Sequence, residues 1–234
     1  MKIVKEFSRF AEEYTKHNII QEEVAKRLTL MLSQNRYSKV IDIGCGSGAV
    51  YNNFKKESIS VETFVAFDFS EEMLNLHPNG INIQKKCSDF NKKESFLEYK
   101  PKEFDILISA SALQWSEDLP SVLKNLSLLA KNYYFAFFTS NTFKTLHQTA
   151  KIDSPIYSKE FIIESLEKFY NYKTEVVEYR LDFTSVYEML RYIKRSGVSG
   201  GSGQLSYRSM KRLMVEYPFD YLEFEVLFVE AVKR

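Results

Sequence analysis

The stretch Val40-Ile41-Asp42-Ile43-Gly44-Cys45-Gly46-Ser47-Gly48 places the tightest limit on what this chain can fold into. Val40, Ile41 and Ile43 give the apolar, β-branched content of an interior strand. The glycines that follow, at every second position, let the backbone turn sharply and leave no Cβ between main chain and a ligand. A helix starting after such a loop points its free N–H groups at whatever sits in the turn. Glycine inside an ordinary core element costs about 0.5–1 kcal/mol relative to alanine, so this run serves a purpose beyond packing. A tight strand-to-helix turn with no ligand is the competing reading.

Two ligand classes use such loops. Gly44, Gly46 and Ala49 satisfy the G-x-G-x-x-G/A pattern of dinucleotide sites. The fuller match is acidic-x-Gly-x-Gly-x-Gly, made by Asp42, Gly44, Gly46 and Gly48. This resembles the first motif of class I S-adenosylmethionine (SAM) methyltransferases. The resemblance implies that Gly44 and Gly46 lie against the methionine and ribose portion of the cofactor, with Asp42 helping to hold its ammonium group. SAM carries a sulfonium and an ammonium where a dinucleotide carries a pyrophosphate, so an acid at the strand end favours SAM.

The rest of the chain alternates strand and helix patterns, which predicts an α/β doubly wound, mostly parallel sheet with its site at the strand carboxyl ends. The resemblance implies a Rossmann-like sheet of seven strands with one antiparallel member, which the segment 222–232 can supply. Ala49 to Lys56 reads as the first crossover helix, and a strand over 62–67 ends at Asp68. A carboxylate there can accept both ribose hydroxyls; Phe69 follows it, Ser70 caps a helix, and Met73 reaches towards the adenine. A third strand, 81–90, ends in Cys87-Ser88-Asp89-Phe90. The methyltransferase pattern puts an acid here on the adenine amino group and an apolar residue on the ring, roles for Asp89 and Phe90, although Asp also suits a plain turn. Cys87 reads as a small buried residue rather than a nucleophile. A fourth, nearly continuously apolar strand over 104–109 leads through Ser109 and Ala110, which fall at the cofactor edge in the same pattern. A helix over 119–129, a strand over 133–139, a polar connector over 140–157, a helix capped by Ser158 and a strand-like run over 173–183 complete the alternation.

Beyond the fourth strand, Ser111-x-Ala-Leu-Gln114-Trp115 resembles the malonyl-acyl-carrier-protein O-methyltransferases of biotin synthesis, with Gln114 and Trp115 on the substrate side. Residues 1–34 read as a helical cap, in which Phe7, Phe10, Ala11 and Tyr14, followed by Gln21, are similar to the N-terminal helices of that family. There the aromatic hydroxyl faces the transferred methyl group; Tyr14 is equally the last member of an apolar stripe. Lys131-Asn132, read as the connecting turn before the fifth strand, lacks the family's Pro-Gly-Gly. Residues 184–220 form the expected lid. Met189 to Val215 contains no acid but holds Arg191, Lys194, Arg195, Arg208, Lys211 and Arg212, and half of the chain's eight glycines lie between Gly197 and Gly203 as a hinge. Leu190 to Gly197 resembles the family's Leu-x-x-Leu-Lys-x-x-Gly segment. Arg191 is expected to pair with the substrate carboxylate, and Lys194 and Arg195 to meet the rest of the substrate.

The 234 residues fit one domain, and a formal net charge of +1 makes no global case for nucleic acid or membrane partners. Two cysteines form neither a disulfide framework nor a paired metal motif. With no apolar run near the roughly 18 residues of a membrane span and no signal-peptide pattern, a cytoplasmic location is expected. The resemblance implies methyl transfer from SAM, leaving S-adenosylhomocysteine, to the free carboxylate of a malonyl thioester on acyl-carrier protein or coenzyme A. A carboxylate is already ionised at neutral pH, so such a reaction needs no general base. Methylation of another small carboxylate or metabolite, an RNA methyltransferase, a SAM-binding partner subunit without turnover and an NAD-dependent oxidoreductase stay open as alternatives.

Overall fold

The computed structural model describes residues 18–195 and 207–234. Tyr14 and the glycines between Gly197 and Gly203 lie outside the described residues. Seven strands form one sheet in the order β3-β2-β1-β4-β5-β7-β6. They are β1 (Arg36–Ile43), β2 (Ser60–Asp68), β3 (Ile83–Cys87), β4 (Phe104–Ala110), β5 (Ala130–Phe138), β6 (Tyr170–Asp182) and β7 (Tyr221–Lys233). The first five pair in parallel, and β7 runs antiparallel to both β5 and β6. The expected closing strand is therefore the antiparallel one.

Helices cover both faces, as a parallel sheet requires. The strand sequences show why. In β5, Tyr134, Ala136 and Phe138 enter one core, and Tyr133, Phe135 and Phe137 enter the other. On the first face lie α1 (Ile19–Leu30) and α2 (Ala49–Lys56), joined there by Leu74 of α3 (Glu71–Leu76). The opposite face carries α4 (Leu119–Leu126) and α6 (Lys159–Glu167). Helix starts follow the capping expectation: the hydroxyls of Ser70 and Ser158 accept from the N–H groups of Met73 and Phe161.

Three details differ from the sequence reading. The polar connector over 140–157 contains a short helix, α5 (Lys144–Ala150), flanked on both sides by left-handed residues, Phe143 and Lys151. It buries only Leu146 and Ala150, too few positions for a visible 3.6-residue period. Lys131 and Asn132 belong to β5 rather than to a turn. Tyr133 sets that boundary: its hydroxyl lies 2.7 Å from the carbonyls of Ser127 and Ala130, to either of which it can donate, and accepts from the Ala130 N–H. Cys87 is exposed, because β3 is the sheet's edge strand and its last residue points outward.

Between β6 and β7 the chain forms α7 (Val186–Arg195) and α8 (Tyr207–Glu216). Met189, Tyr192 and Ile193 of α7 and Leu213 of α8 are buried in the same core as α1 and α2.

Candidate active site

The chain leaves β1 for β2 on one side and reaches β4 on the other, so the crevice at the carboxyl ends of β1 and β4 is the sheet's topological switch point. The glycine loop sits there and is bolted down. Gly44 N–H and Cys45 N–H both donate to the Phe67 carbonyl, at 2.8 and 3.1 Å. Gly46 N–H donates to Asp68 Oδ2 at 2.9 Å, and Ser70 N–H to Asp68 Oδ1 at 2.9 Å. Asp68 thus ties the loop to the start of α3. Gly44 has φ +71°, and a Cβ there would fall 2.2 Å from that of Ala112, so only glycine lets β1 and the segment after β4 close together.

The loop opens on a partly enclosed cavity. Asp42, Gly44, Gly46 and Asp68 form its floor. Phe69, Met73 and Phe90 make an apolar wall at the β2–β3 end, Ala110 ends β4 and Trp115 lies beyond it, and Asn18, the N-cap of α1, and Gln21 of α1 also line the cavity. Asp42 is fully buried, and neither carboxylate oxygen has a hydrogen-bond partner among the described residues. Burial, and then the nearby Asp68 carboxylate, push its pKa well above the ordinary carboxylate range. Burial also raises Asp68, against the lowering effect of the backbone N–H groups it accepts from. Desolvation raises the Cys45 thiol well above its usual value, so it stays protonated and inert.

Nine of the sequence-derived site residues meet in this cavity: Asp42, Gly44, Gly46, Asp68, Phe69, Met73, Phe90, Ala110 and Trp115. Others stand outside its wall. Gly48 is the left-handed N-cap of α2 and packs under Pro78 and His77. Ser109 donates its hydroxyl to the Ile43 carbonyl at 2.7 Å, stapling β4 to β1 beneath the loop. Asp89 stands beside Phe90 and accepts from the N–H and side-chain amide of Asn91 in its own turn. Gln114 is buried and donates to the Ser111 carbonyl. The Arg191 guanidinium contacts Glu188 at 3.0 Å on α7 and lies over the Tyr187 ring. Lys194 and Arg195 close that same helix. Among the wall residues missing from the sequence-derived set are Asn18, Ser111 and Ala112. A small residue facing Gly44 leaves no one-dimensional trace, nor does the left-handed backbone of Ser111, whose φ is +62°.

The walls fit one of the two ligand classes. They hold two carboxylates and, among the described lining residues, no Lys, Arg or His. Such a lining suits a ligand with an ammonium and a sulfonium and repels a pyrophosphate. The loop's N–H groups are also largely spent inside the protein: Gly44 and Cys45 on Phe67, Gly46 on Asp68, and Gly48 on the Cys45 carbonyl. A phosphate-cradling loop would leave them pointing at the ligand.

A family model described as a methyltransferase domain matches residues 34–192, and the chain belongs to that family. It is a methyltransferase with the class I doubly wound fold, and its cofactor is S-adenosylmethionine. Among curated relatives, the malonyl-[acyl-carrier protein] O-methyltransferase of Bacteroides fragilis is 26% identical over an alignment of 241 positions, gaps included, that covers 97% of this chain and 46% of that protein. The chain thus spans about half the length of that relative. The protein of the same description from Bacillus cereus is 28% identical over an alignment of 224 positions, gaps included, that covers 85% of this chain and 80% of that one. Among solved structures, Haemonchus contortus phosphoethanolamine N-methyltransferase 2, in complex with phosphomonomethylethanolamine and S-adenosylhomocysteine, superposes with a TM-score of 0.62 at 15% identity. That superposition covers 100% of this chain and 60% of the other.

Proposed function

We propose that this chain methylates the free carboxylate of a malonyl thioester, carried on acyl-carrier protein or coenzyme A, with S-adenosylmethionine as donor. The observation that carries the transfer reading is the buried, unpartnered Asp42 carboxylate in a base-free cavity, a feature that makes physical sense with a cation beside it. Asp42 then meets the ammonium end, with Gly44 giving close main-chain approach. Asp68 already accepts one N–H on each oxygen and keeps lone pairs for the ribose hydroxyls. Phe69, Met73 and Phe90 supply an apolar slot for the adenine, with Asp89 at its rim. When bound, the cofactor supplies an electrophilic methyl group on sulfonium.

The chain's own part in transfer is alignment and exclusion of water, which effective molarity values at roughly 7–11 kcal/mol. No side chain of the described wall is suited to strip a proton from an alcohol: Cys45 is held protonated, and Asp42 and Asp68 face the cofactor half. An acceptor that arrives as an anion needs no such base. The relatives named above and the Ala112-Leu113-Gln114-Trp115 turn, which brings Trp115 into the wall, support a malonyl thioester as that anion.

In this reading 184–220 is the lid. Arg191 meets the acceptor carboxylate by leaving Glu188, a half-exposed pair of the kind worth only about 0.3–0.5 kcal/mol. Exposed Arg208 and Lys211 on α8, with Arg212, meet the acidic carrier in this reading, and Lys194 and Arg195 keep the substrate role expected of them from the sequence alone. The position of Arg191 outside the cavity wall favours one second reading, methylation of another small carboxylate or metabolite. The deciding experiment is transfer of labelled methyl from SAM to malonyl-acyl-carrier protein, malonyl-coenzyme A and a panel of free acids. Turnover confined to a free acid selects the second reading; binding of SAM with no acceptor methylated leaves a cofactor-binding partner subunit.

A further inference from the structure

The segment that leaves β5 builds a separate cleft on the edge of the sheet that carries the cofactor cavity. Lys144, His147, Gln148 and Lys151 line it together with Ser140 and Ser154. The turn of α5 groups them: those four stand at i, i+3, i+4 and i+7, while Leu146 and Ala150 hold the helix in the core. Both lysines are exposed, and neither makes an ion pair among the described residues. Asp153 is the one acid among the described lining residues, so the charge balance of the cleft is positive. That is the opposite of the cofactor cavity, which has two carboxylates and no Lys, Arg or His in its described lining. A further cleft, at the amino ends of β1 and β2, holds Arg36, but that guanidinium lies 3.3 Å from Glu62, and Glu57 shares the lining. Sign and position together single out the cleft over 140–154.

The cleft is also tied to the cofactor cavity. β5 lies next to β4, and neighbouring strands run about 4.8 Å apart. Trp115 stands in the cavity wall, and the carbonyl of the next residue, Ser116, accepts from the Tyr157 hydroxyl at 2.6 Å. The Tyr157 carbonyl in turn accepts from the N–H of Ser140, in the cleft lining, at 2.9 Å. Two hydrogen bonds thus hold the cleft at a fixed offset from the β4 side of the cavity. A thioester acceptor brings an anion to such a place. On acyl-carrier protein and on coenzyme A alike, the acyl group hangs from a pantetheine arm that is uncharged along its two amides and ends in a phosphate ester. With the acyl end at the cofactor, the arm leads the phosphate outwards over the sheet edge, where unpaired lysines attract it. We propose that the 140–154 cleft, through Lys144 and Lys151, binds the phosphate at the far end of that arm. The proposal rests on the thioester reading above and deepens it, because the recognised group is the one the two carriers share.

The test is steady-state methyl transfer by the full chain to malonyl-pantetheine, which lacks the phosphate, and to malonyl-phosphopantetheine, malonyl-coenzyme A and malonyl-acyl-carrier protein. The wild type should show a kcat/KM for malonyl-phosphopantetheine roughly fivefold to tenfold above that for malonyl-pantetheine, as two exposed ion pairs allow. Lys144→Gln combined with Lys151→Gln should erase that advantage by raising KM for the three phosphorylated acceptors. Their kcat, the turnover of malonyl-pantetheine and the affinity for S-adenosylmethionine should stay unchanged. Lys56→Gln combined with Lys124→Gln, two exposed lysines outside the cleft lining, should move none of these values. Equal turnover of the two small acceptors by the wild type overturns the proposal. So does a cleft variant that keeps the advantage of the phosphate, or one that loses as much on malonyl-pantetheine. A loss confined to malonyl-coenzyme A assigns the lysines to its other phosphates, and one confined to the carrier assigns them to the protein surface; each overturns the arm assignment. If the wild type methylates no thioester, the thioester reading itself fails, and calorimetry with phosphopantetheine decides the cleft separately. Binding that the cleft variant loses supports the phosphate site, and no binding to the wild type overturns it.

Discussion

Replacing Asp42 with Asn separates the two roles that the site gives this carboxylate. In the ligand-free protein the group is fully buried, its oxygens lack partners among the described residues, and its pKa lies well above the unfolded value near 3.9. Between those two values the native state binds more protons than the unfolded state. Asp42 therefore lowers stability as pH rises through that window, and the full penalty is present above the native pKa. Asn is nearly isosteric and always neutral. At pH 8, without cofactor, Asp42→Asn should melt higher than the wild type. A desolvation cost of about 1–3 kcal/mol, at roughly 2–4 °C per kcal/mol for a chain of this size, predicts a rise of several degrees. The difference should vanish below about pH 4, where both side chains are neutral. Cofactor reverses the order. Loss of a charge-assisted bond to the ammonium, about 1.5–3 kcal/mol, weakens binding roughly 10- to 150-fold. Ligand at 100 times the wild-type Kd, which stabilises the wild type by about 2.7 kcal/mol, should then stabilise the variant far less. Thermal melting at pH 4, 6 and 8, with and without S-adenosylmethionine, reads all of this. A variant that melts lower than the wild type at pH 8 without ligand, or that keeps the full cofactor-induced shift, refutes the reasoning.

Further outcomes are expected, from the same geometry at Asp68, Gly48 and Gly44 and from the proposed roles of Tyr14, Lys211 and Arg212. Asp68→Ala removes both the ribose acceptor and the tie between Gly46 and Ser70, so S-adenosylhomocysteine binding measured by calorimetry should fall at least tenfold. Gly48→Ala forces a Cβ to 2.6 Å from Pro78 at φ +91°, which should lower the melting temperature by several degrees yet leave cofactor affinity nearly intact, whereas Gly44→Ala should abolish cofactor binding. Tyr14→Phe should reduce turnover without moving the melting temperature, and unchanged kinetics would assign Tyr14 to the apolar stripe. Reversing Lys211 and Arg212 to Glu should raise KM for malonyl-acyl-carrier protein far more than for malonyl-coenzyme A, with kcat little changed, and salt should separate the two substrates in the same direction.

The cofactor half of the site is legible in the sequence because strand ends are read in one dimension. Asp42, Gly44 and Asp68 each sit where an apolar strand stops, and parallel pairing brings those ends to one edge, with Phe90 three residues beyond the end of β3. What escapes is whatever depends on a partner far along the chain. Gly48 shares the motif's spacing with Gly44, but only the fold shows that it clears Pro78 rather than a ligand. Gln114 falls in the motif that the resemblance puts on the substrate side, but nothing in the sequence shows that its side-chain amide donates to the Ser111 carbonyl. Cys87 follows apolar and polar residues alike, and its exposure comes from an edge position that strand order alone decides.

Asp182 lies opposite Tyr221 as the last pair of the β6–β7 ladder, and Phe183 N–H closes on the Asp220 carbonyl at 2.7 Å. The whole segment carrying α7 and α8 therefore leaves and re-enters the sheet at a single clasp. For a flexible connection, doubling its length between fixed ends costs only about 0.6 kcal/mol, and nothing in the β1–β4 crevice passes through the clasp. On the proposed lid reading, the part of the molecule that chooses an acceptor is in this sense a cartridge. Grafting the 184–220 segment of a methyltransferase with another acceptor onto this clasp should move acceptor preference with the graft, while affinity for S-adenosylmethionine stays with the sheet.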